Sequence, residues 1–117
     1  MTIQNETKFL ESIWDWKILE GALPAGVYPS DCDGVLERRG QLLFIEVMSP
    51  TASLSRGQHR LLDTLAKHGA VLIVWGIQNL TKCGYATWTF RGKTVGFSPF
   101  CLEKFRQIIS DWWKWAS

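Results

Sequence analysis

Two short apolar runs with an amphipathic segment between them constrain the fold of this chain more than any other feature. Gln41 to Met48 and Val71 to Trp75 are nearly continuous in apolar residues, which is typical of strands buried on both faces. Between them, Ser53 to His68 places its leucines at helical spacing and is followed by Gly69, a helix stop. A strand, a helix and a second strand joined by a short return predict a right-handed crossover and a parallel strand pair.

The segments before this unit predict a helix and a hairpin. Asn5 to Leu19 carries apolar residues at helical spacing, with Asn5 as a candidate N-cap and Gly21 as a stop. Gly34 to Glu37 precedes the turn ERRG, so it is predicted to pair with the first apolar run as a β-hairpin.

The segments after it predict a small β extension and a closing helix. Tyr85 to Arg91 alternates in polarity and is followed by a turn into Thr94 to Phe97, as in an edge hairpin. Ser98 and Pro99 fit the cap and the first position of a C-terminal helix. The predicted fold is therefore α/β, in the order helix, β-hairpin, helix, strand, small β extension and C-terminal helix. The predicted buried face of that last helix comprises Phe100, Leu102, Phe105, Ile108, Ile109, Trp112, Trp113 and Ala116.

Length, the longest apolar run and the cysteines exclude several classes of protein. A chain of 117 residues fits one domain, which we predict to span residues 1–117. The longest apolar run, Ala70 to Trp75, is far shorter than a membrane span, and we expect neither a membrane partner nor a secretory signal. Cys32, Cys83 and Cys101 are odd in number and form no metal-binding spacing, so reduced thiols in a cytosolic protein are expected.

Carboxylates flank the predicted hairpin at its open end. Asp31 and Asp33 precede its first strand, and Glu46 lies near the end of its second strand. Two carboxylates held close together repel each other unless a proton or a cation lies between them, and Mg²⁺ prefers such oxygen ligands. The carbonyl group of Val47 is a candidate third ligand. The alternative is a turn aspartate and a solvated strand-end glutamate with no shared role.

These residues resemble the motif of the PD-(D/E)XK nuclease superfamily. Asp33, Glu46 thirteen residues later, and the position two residues beyond match its spacing, and the string PSDCDGVLERRGQLLFIEVMSP looks like its hairpin. Gln58 in the following helix resembles the pattern of VRR-NUC domains and archaeal Holliday junction resolvases. The resemblance covers roughly residues 5 to 76 and implies a restriction-endonuclease-like core of helix, three strands, helix and strand.

The resemblance implies a metal-dependent endonuclease that cleaves phosphodiester bonds in DNA. Asp33, Glu46 and the carbonyl of Val47 would hold Mg²⁺ or Mn²⁺, and Gln58 would position the attacking water. The superfamily often adds an acid from the first helix, and Glu6 and Glu11 are equal candidates. Resemblance to the junction resolvases further implies a homodimer and a branched or structured DNA substrate. Similarity to small phage and bacterial proteins implies the cytoplasm of a bacterial host, with a phage-encoded origin as one alternative.

Basic residues on the second predicted helix are candidates for binding the DNA backbone. Arg56, His59 and Arg60 lie near the same helix end as Gln58. Within a nuclease they would contact phosphate groups, which dominate the affinity of proteins for nucleic acids. The alternative for this cluster, and for Gln58, is an ordinary solvated helix surface.

Met48 departs from the superfamily pattern, which has lysine at this position. A lysine there would orient the attacking water and stabilise charge at the phosphate, whereas a thioether carries no charge and no donor. Three explanations stand side by side: an engineered replacement, a natural member that binds without cutting, or substitution by another cation such as Arg56 or His59. We expect this chain to be inactive or strongly impaired in cleavage.

Two other functions are compatible with the same sequence. The chain can be a non-catalytic module with a nuclease fold that binds nucleic acid or a protein partner. Alternatively, the aromatic cluster Trp112-Trp113-Lys114-Trp115 makes it an interaction protein without a nucleic-acid role. An aromatic cluster of this kind is more often core or dimer surface than a platform for stacking bases.

Overall fold

The computed structural model of the chain describes residues 15–30 and 32–117. The chain divides into two compact units, residues 1–31 and residues 32–117. Most of the predicted first helix, both Glu6 and Glu11, and also Asp31 lie outside the described residues. The prediction of one domain over residues 1–117 stays a prediction.

The described part of the first unit is a short helical turn followed by irregular chain. Trp16–Leu19 forms a 3-10 helix, and the Asp15 side chain caps it by accepting a hydrogen bond from the Lys17 N–H at 3.0 Å. The prediction of α-helix up to Leu19 is wrong over these four residues, because the cap at Asp15 starts a separate short turn. Gly21, with a φ of 87°, ends that turn in the left-handed conformation that glycine adopts readily.

The second unit is a five-stranded mixed sheet with two α-helices, which confirms the prediction of an α/β fold. Its strands are β1 (Gly34–Arg38), β2 (Gln41–Met48), β3 (Ala70–Trp75), β4 (Gly84–Phe90) and β5 (Lys93–Phe100). Its helices are α1 (Arg56–Leu65) and α2 (Leu102–Trp115). The strands lie in sequence order, β2 and β3 pair in parallel as predicted, and the other neighbours are antiparallel.

Two tight turns close the hairpins. Arg39 and Gly40 connect β1 to β2, and Arg91 and Gly92 connect β4 to β5. All four residues have positive φ, between 50° and 83°. This is the two-residue hairpin geometry whose twist matches that of the strands, and it demands the left-handed conformation at both positions. The predicted hairpin over ERRG is confirmed.

The sheet buries a separate apolar cluster on each face. On one face, Leu62 of α1 packs with Val71, Ile73 and Trp75 of β3. The other face is covered by α2, whose Trp112 belongs to a larger cluster with Leu43, Leu72, Val74 and Phe100. β3 is buried along its whole length because alternate side chains enter the two clusters.

The start of the C-terminal helix differs from the prediction. Ser98 and Pro99 belong to β5, and the residue that precedes α2 is Cys101. Proline is tolerated there because β5, within the described part of the chain, is an edge strand with a neighbour on one side only. Phe100 is therefore a fully buried strand residue, while Leu102 and Trp113 are 47% and 44% exposed, against their predicted burial.

The cysteine prediction is wrong for two of the three residues. Cys83 and Cys101 form a disulfide that joins the residue before β4 to the residue before α2, with their Cα atoms 4.3 Å apart. Cys32 is a free, exposed thiol. Spacing did not show this pairing, because antiparallel β4 and β5 bring together residues that are 18 positions apart. Among residues 15–30 and 32–117, no helix is long and apolar enough to cross a membrane.

Candidate functional site

Asp33 lies directly beside the end of β2. Its Oδ2 atom accepts a hydrogen bond of 2.7 Å from the backbone N–H of Val47. The last residue pair of the hairpin is Gly34 with Ile45, so the next pair along the same register is Asp33 with Glu46. At the open end of the hairpin, the Asp33 carboxylate is therefore hydrogen-bonded to the backbone of the strand that carries Glu46.

The backbone N–H and C=O groups of Val47 point to the side of β2 on which Asp33 lies. The N–H and C=O of one strand residue point to the same side of the strand, and those of the next residue point to the other side. The Val47 N–H points to Asp33, whereas the Met48 carbonyl accepts from Gly76 on the β3 side. The Val47 carbonyl is therefore on the side of Asp33, where β1 no longer occupies the edge of β2.

Glu46 and Met48 lie on the α1 face of the sheet. They alternate with Val47 along β2, and Met48 and Phe44 pack against the apolar cluster around Leu62. Both Glu46 and Met48 are half-buried. A side chain at position 48 is thus on the same face as the Glu46 carboxylate, and methionine fills that place with apolar contacts.

The connection between β2 and α1 is held by two aromatic side chains of the sheet. The Trp75 Nε1 donates to the carbonyl of Ala52 at 3.0 Å, and the Tyr85 hydroxyl donates to the carbonyl of Pro50 at 3.0 Å. The two rings stack with centroids 5.0 Å apart. These contacts fix the start of α1 near the carboxyl end of β2.

Gln58 stabilises the first turn of α1. Its side-chain oxygen accepts from the Ser55 N–H at 2.9 Å, and the Ser55 hydroxyl accepts from the Gln58 N–H at 3.1 Å. This reciprocal pair is a capping box, which satisfies two N–H groups at the helix start. Leu62 and Leu65 follow Gln58 by four and seven residues, so the three residues share one face of α1, and Gln58 lies beside the apolar stripe.

The three basic residues predicted to bind phosphate are all exposed on α1. Arg56, His59 and Arg60 have side chains in solvent at the end of the helix that adjoins β2. Gln58 is half-buried among them, on the sheet side. The helix therefore has basic side chains on its solvent side and the amide of Gln58 on its sheet side.

The donor set around Val47 suits a hard divalent cation with few protein ligands. Within residues 15–30 and 32–117, no group of three or more histidine, cysteine or acidic side chains is placed to hold a metal. Asp33, Glu46 and the Val47 carbonyl instead offer oxygen atoms from two carboxylates and one peptide group. Mg²⁺ usually keeps several waters and takes only one or two carboxylates, so this set fits it.

Sequence reasoning missed a cavity that adjoins Val47 on the α2 face. It has a volume of about 500 Å³, and its rim includes Gln78 and Asn79 from the loop after β3. Asn79 and Leu80 in this loop have positive φ values of 59° and 52°, which is rare for leucine and marks local strain. The signal available in the sequence is the position of Gly76 to Asn79 at the carboxyl end of a parallel strand, where ligands commonly bind.

Comparison with known proteins identifies no relative. No protein-family model, no curated protein and no solved structure matches the chain. Proposals about its function therefore depend on the geometry of the chain and on the motif resemblance.

Proposed function

We propose that this protein is a member of the PD-(D/E)XK superfamily whose site at the end of β2 is built for Mg²⁺-dependent cleavage of DNA, and that Met48 leaves it inactive or strongly impaired. The observation that carries the proposal is the 2.7 Å hydrogen bond from the Val47 N–H to Asp33 Oδ2. Because of this bond, Asp33 lies against the strand that carries Glu46 and the Val47 carbonyl, and this proximity supports the proposal.

Each residue of the proposed site has a distinct task. The carboxylates of Asp33 and Glu46 and the carbonyl of Val47 would hold the cation. Bound Mg²⁺ or Mn²⁺ supplies a water of lowered pKa and offsets negative charge on the scissile phosphate. Gln58 orients the attacking water through its amide N–H groups, since its side-chain oxygen is taken up by Ser55. Arg56, His59 and Arg60 bind the flanking phosphates from the exposed side of α1.

Met48 explains why the present chain should not turn over substrate. It lies on the same face of β2 as Glu46, where a lysine ammonium would reach the attacking water. The thioether has no hydrogen to donate and no charge. Removal of one preorganised group that stabilises transition-state charge commonly lowers the rate by about 10²–10³-fold.

The experiment that tests this function is a cleavage assay of Met48→Lys. Duplex, single-stranded and branched DNA are incubated with the variant and Mg²⁺. We expect cleavage of at least one of these forms, absent when EDTA replaces Mg²⁺. Met48 is half-buried, and a lysine stem can keep its apolar contacts while its ammonium reaches solvent, so the variant should fold.

Two further variants make this assay specific. Glu46→Ala in the Met48→Lys background should abolish cleavage, and Met48→Gln, which adds a polar group without charge, should remain inert. A wild-type chain that cuts DNA as fast as Met48→Lys would contradict the role of position 48. In that case Arg56 and His59 are the next residues to replace.

A non-catalytic module is the second candidate, and the packing of Met48 favours it. Met48 contributes to the apolar cluster with Leu62 and Trp75. A site with methionine at position 48, packed against the core, is suited to binding nucleic acid or a protein partner without cutting. Met48→Lys that stays inert on every DNA form, while the chain still binds DNA with a steep salt dependence, would establish this function.

The proposed assembly is a homodimer, by resemblance to the junction resolvases. Among residues 15–30 and 32–117, the edge strands β1 and β5 each have one neighbour in the sheet, and they carry the exposed apolar side chains Val35 and Val95. Sedimentation equilibrium measures the state directly. A chain that sediments as a monomer at all concentrations would contradict the homodimer, and the single chain would then be the proposed functional unit.

A further inference from the structure

A pocket lined by aromatic rings lies between the β4–β5 hairpin and α2. Its volume is about 270 Å³, a little below the roughly 300–1,000 Å³ of sites for drug-sized ligands. Apart from Ile108 and Asp111, every lining residue is aromatic, and these residues are Trp88, Phe90, Phe97, Trp112 and Trp115. Its size and lining suit a flat ring system.

The structure separates the tryptophans at the end of the chain. Trp112 is buried at 3% exposure, Trp115 lines this pocket, and Trp113 lines a different groove beside Leu36, where it stacks with Arg38. Trp115 meets Phe90 edge to face with centroids 5.0 Å apart, which fixes the orientation of both rings. The pocket is therefore formed by ordered side chains of the β4–β5 hairpin and of α2.

Cations surround the rings of the pocket. The Arg91 guanidinium lies 5.0 Å from the centroid of Phe90 and 5.5 Å from that of Trp115. The Lys104 ammonium lies 5.1 Å from the centroid of Phe97, and Lys93 follows Arg91 in the same hairpin. Asp111, the one acid in the lining, accepts a hydrogen bond from Gln107 at 2.7 Å. The lining itself carries one acid and no cation, whereas Arg91 and Lys104 lie against its rings and Lys93 pairs with Phe90 in the sheet, so basic groups adjoin the pocket from outside.

One buried donor in the lining also lacks an acceptor. The Nε1 of Trp112 is buried and has no hydrogen-bond partner within the described part of the chain. Buried donors are nearly always paired, and leaving one unpaired is unfavourable. Because neighbouring atoms cover this nitrogen, a ligand in the pocket does not reach it in this conformation, and the rings and the adjoining cations alone define what the pocket can bind.

We infer that this aromatic pocket binds an unpaired base of a single-stranded DNA segment. Base stacking on aromatic side chains, together with cations that follow the backbone, is the general way in which proteins hold single strands. The rings supply the stacking, and Arg91, Lys93 and Lys104 supply the phosphate contacts. The choice of DNA rather than RNA rests on the proposed function, while the stacking and charge arguments do not.

The test is the binding of a fluorescein-labelled oligothymidylate to the full chain, measured by fluorescence anisotropy in EDTA. An abasic oligomer of equal length is the matched ligand, because it keeps every phosphate and lacks the bases. We expect the oligothymidylate to bind more tightly than the abasic oligomer, and thymidine monophosphate to compete weakly. Equal affinity for the two oligomers, or a mononucleotide that binds as tightly as the strand, would overturn the inference.

The variants compare two tryptophans of equal exposure. Trp115 and Trp113 are both 44% exposed, yet only Trp115 lines the pocket. Trp115→Leu should weaken oligothymidylate binding by about 5- to 150-fold, the range for loss of one stacked base, and Trp115→Phe should restore most of it. Trp113→Leu should bind like the wild type. Equal effects of Trp115→Leu and Trp113→Leu would overturn the inference.

This result is independent of the cleavage assay. If Met48→Lys fails to cut DNA while oligothymidylate binding still depends on Trp115, the proposed nuclease function fails and the stacking site stands. If Met48→Lys cuts DNA while Trp115→Leu binds like the wild type, the nuclease function stands and the stacking site fails. Arg91→Gln is a second variant that tests the pocket. It should lower the affinity for oligothymidylate and also make that affinity less dependent on salt concentration.

Discussion

The side-chain amide of Gln58 can serve two roles at once, one through its oxygen and one through its N–H groups. The amide oxygen closes the capping box with Ser55, and the amide N–H groups are the part that the proposed mechanism uses. A capping role alone would make this residue structural. The two roles can be separated because glutamate also completes a capping box but has no N–H to offer.

Gln58→Glu is therefore predicted to keep the stability of the chain and to lower cleavage. The free energy of unfolding should change by less than about 0.5 kcal/mol, whereas Ser55→Ala should lower it by about 1 kcal/mol. In the Met48→Lys background, Gln58→Glu should reduce the cleavage rate by roughly 10- to 100-fold, as loss of a supporting contact does. Urea titration and single-turnover cleavage measure the two effects. An unchanged rate would make Gln58 a helix cap only.

The sequence predicts which residues the hairpin brings together better than it predicts their hydrogen bonds. The spacing of Asp33 and Glu46 and the hairpin turn were enough to predict that the two residues neighbour each other in register, because an antiparallel hairpin leaves little choice. The capping box of Gln58 has the sequence signature Ser-x-x-Gln and could have been identified beforehand. The bond from Asp33 to Val47 could not, since it depends on where β1 stops.

At the scale of elements, the central strands followed their pattern, and the last helix formed but began later than predicted. β3 is a continuous apolar run and β2 a nearly continuous one, and such short runs, bounded by Gly and Pro, are typical of central strands. The Ser98-Pro99 pair is compatible both with a helix start and with an edge strand. It lies in a strand because β5 pairs with β4. Local propensity is ambiguous there because the deciding interaction is non-local.

Gly84 is predicted to be indispensable for the pairing of β4 with β3. A Cβ atom at this position would overlap the carbonyl oxygen of Trp75, a backbone atom that cannot move without disturbing the sheet. Gly84→Ala should therefore lower the free energy of unfolding by about 2–3 kcal/mol. Gly96→Ala on β5 is the matched control, because a Cβ there meets nothing within 4 Å, and it should change stability by less than about 0.5 kcal/mol. Similar losses for both variants, measured in urea, would contradict this packing.

At the scale of the whole molecule, the disulfide ties the β extension to α2. Cys83 and Cys101 are 18 positions apart and enclose the whole of β4 and β5. A cross-link of this span restricts the unfolded chain and is worth about 3 kcal/mol. It holds the hairpin that forms one wall of the aromatic pocket.

Loss of this disulfide is predicted to lower stability and leave the carboxylate site in place. Cys83→Ser should reduce the free energy of unfolding by about 2–4 kcal/mol, because it frees the loop in the unfolded state. Cys32→Ser should have little effect, since Cys32 is a free thiol at the exposed start of the hairpin. Thermal denaturation with and without a reductant measures both. A wild-type chain whose melting temperature is insensitive to reductant would contradict a stabilising cross-link.

The most direct test of the account is whether Asp33 and Glu46 bind one divalent cation together. Titration of the chain with Mn²⁺, followed by electron paramagnetic resonance, counts bound ions without requiring catalysis. Asp33→Asn retains an oxygen for the Val47 N–H and should fold, yet we predict that it and Glu46→Gln each weaken Mn²⁺ binding by about 10-fold or more. Glu103→Gln, which removes an exposed acid on α2, should bind Mn²⁺ like the wild type. Mn²⁺ binding that is the same in the wild type, Asp33→Asn and Glu46→Gln would contradict a shared metal site at the end of β2.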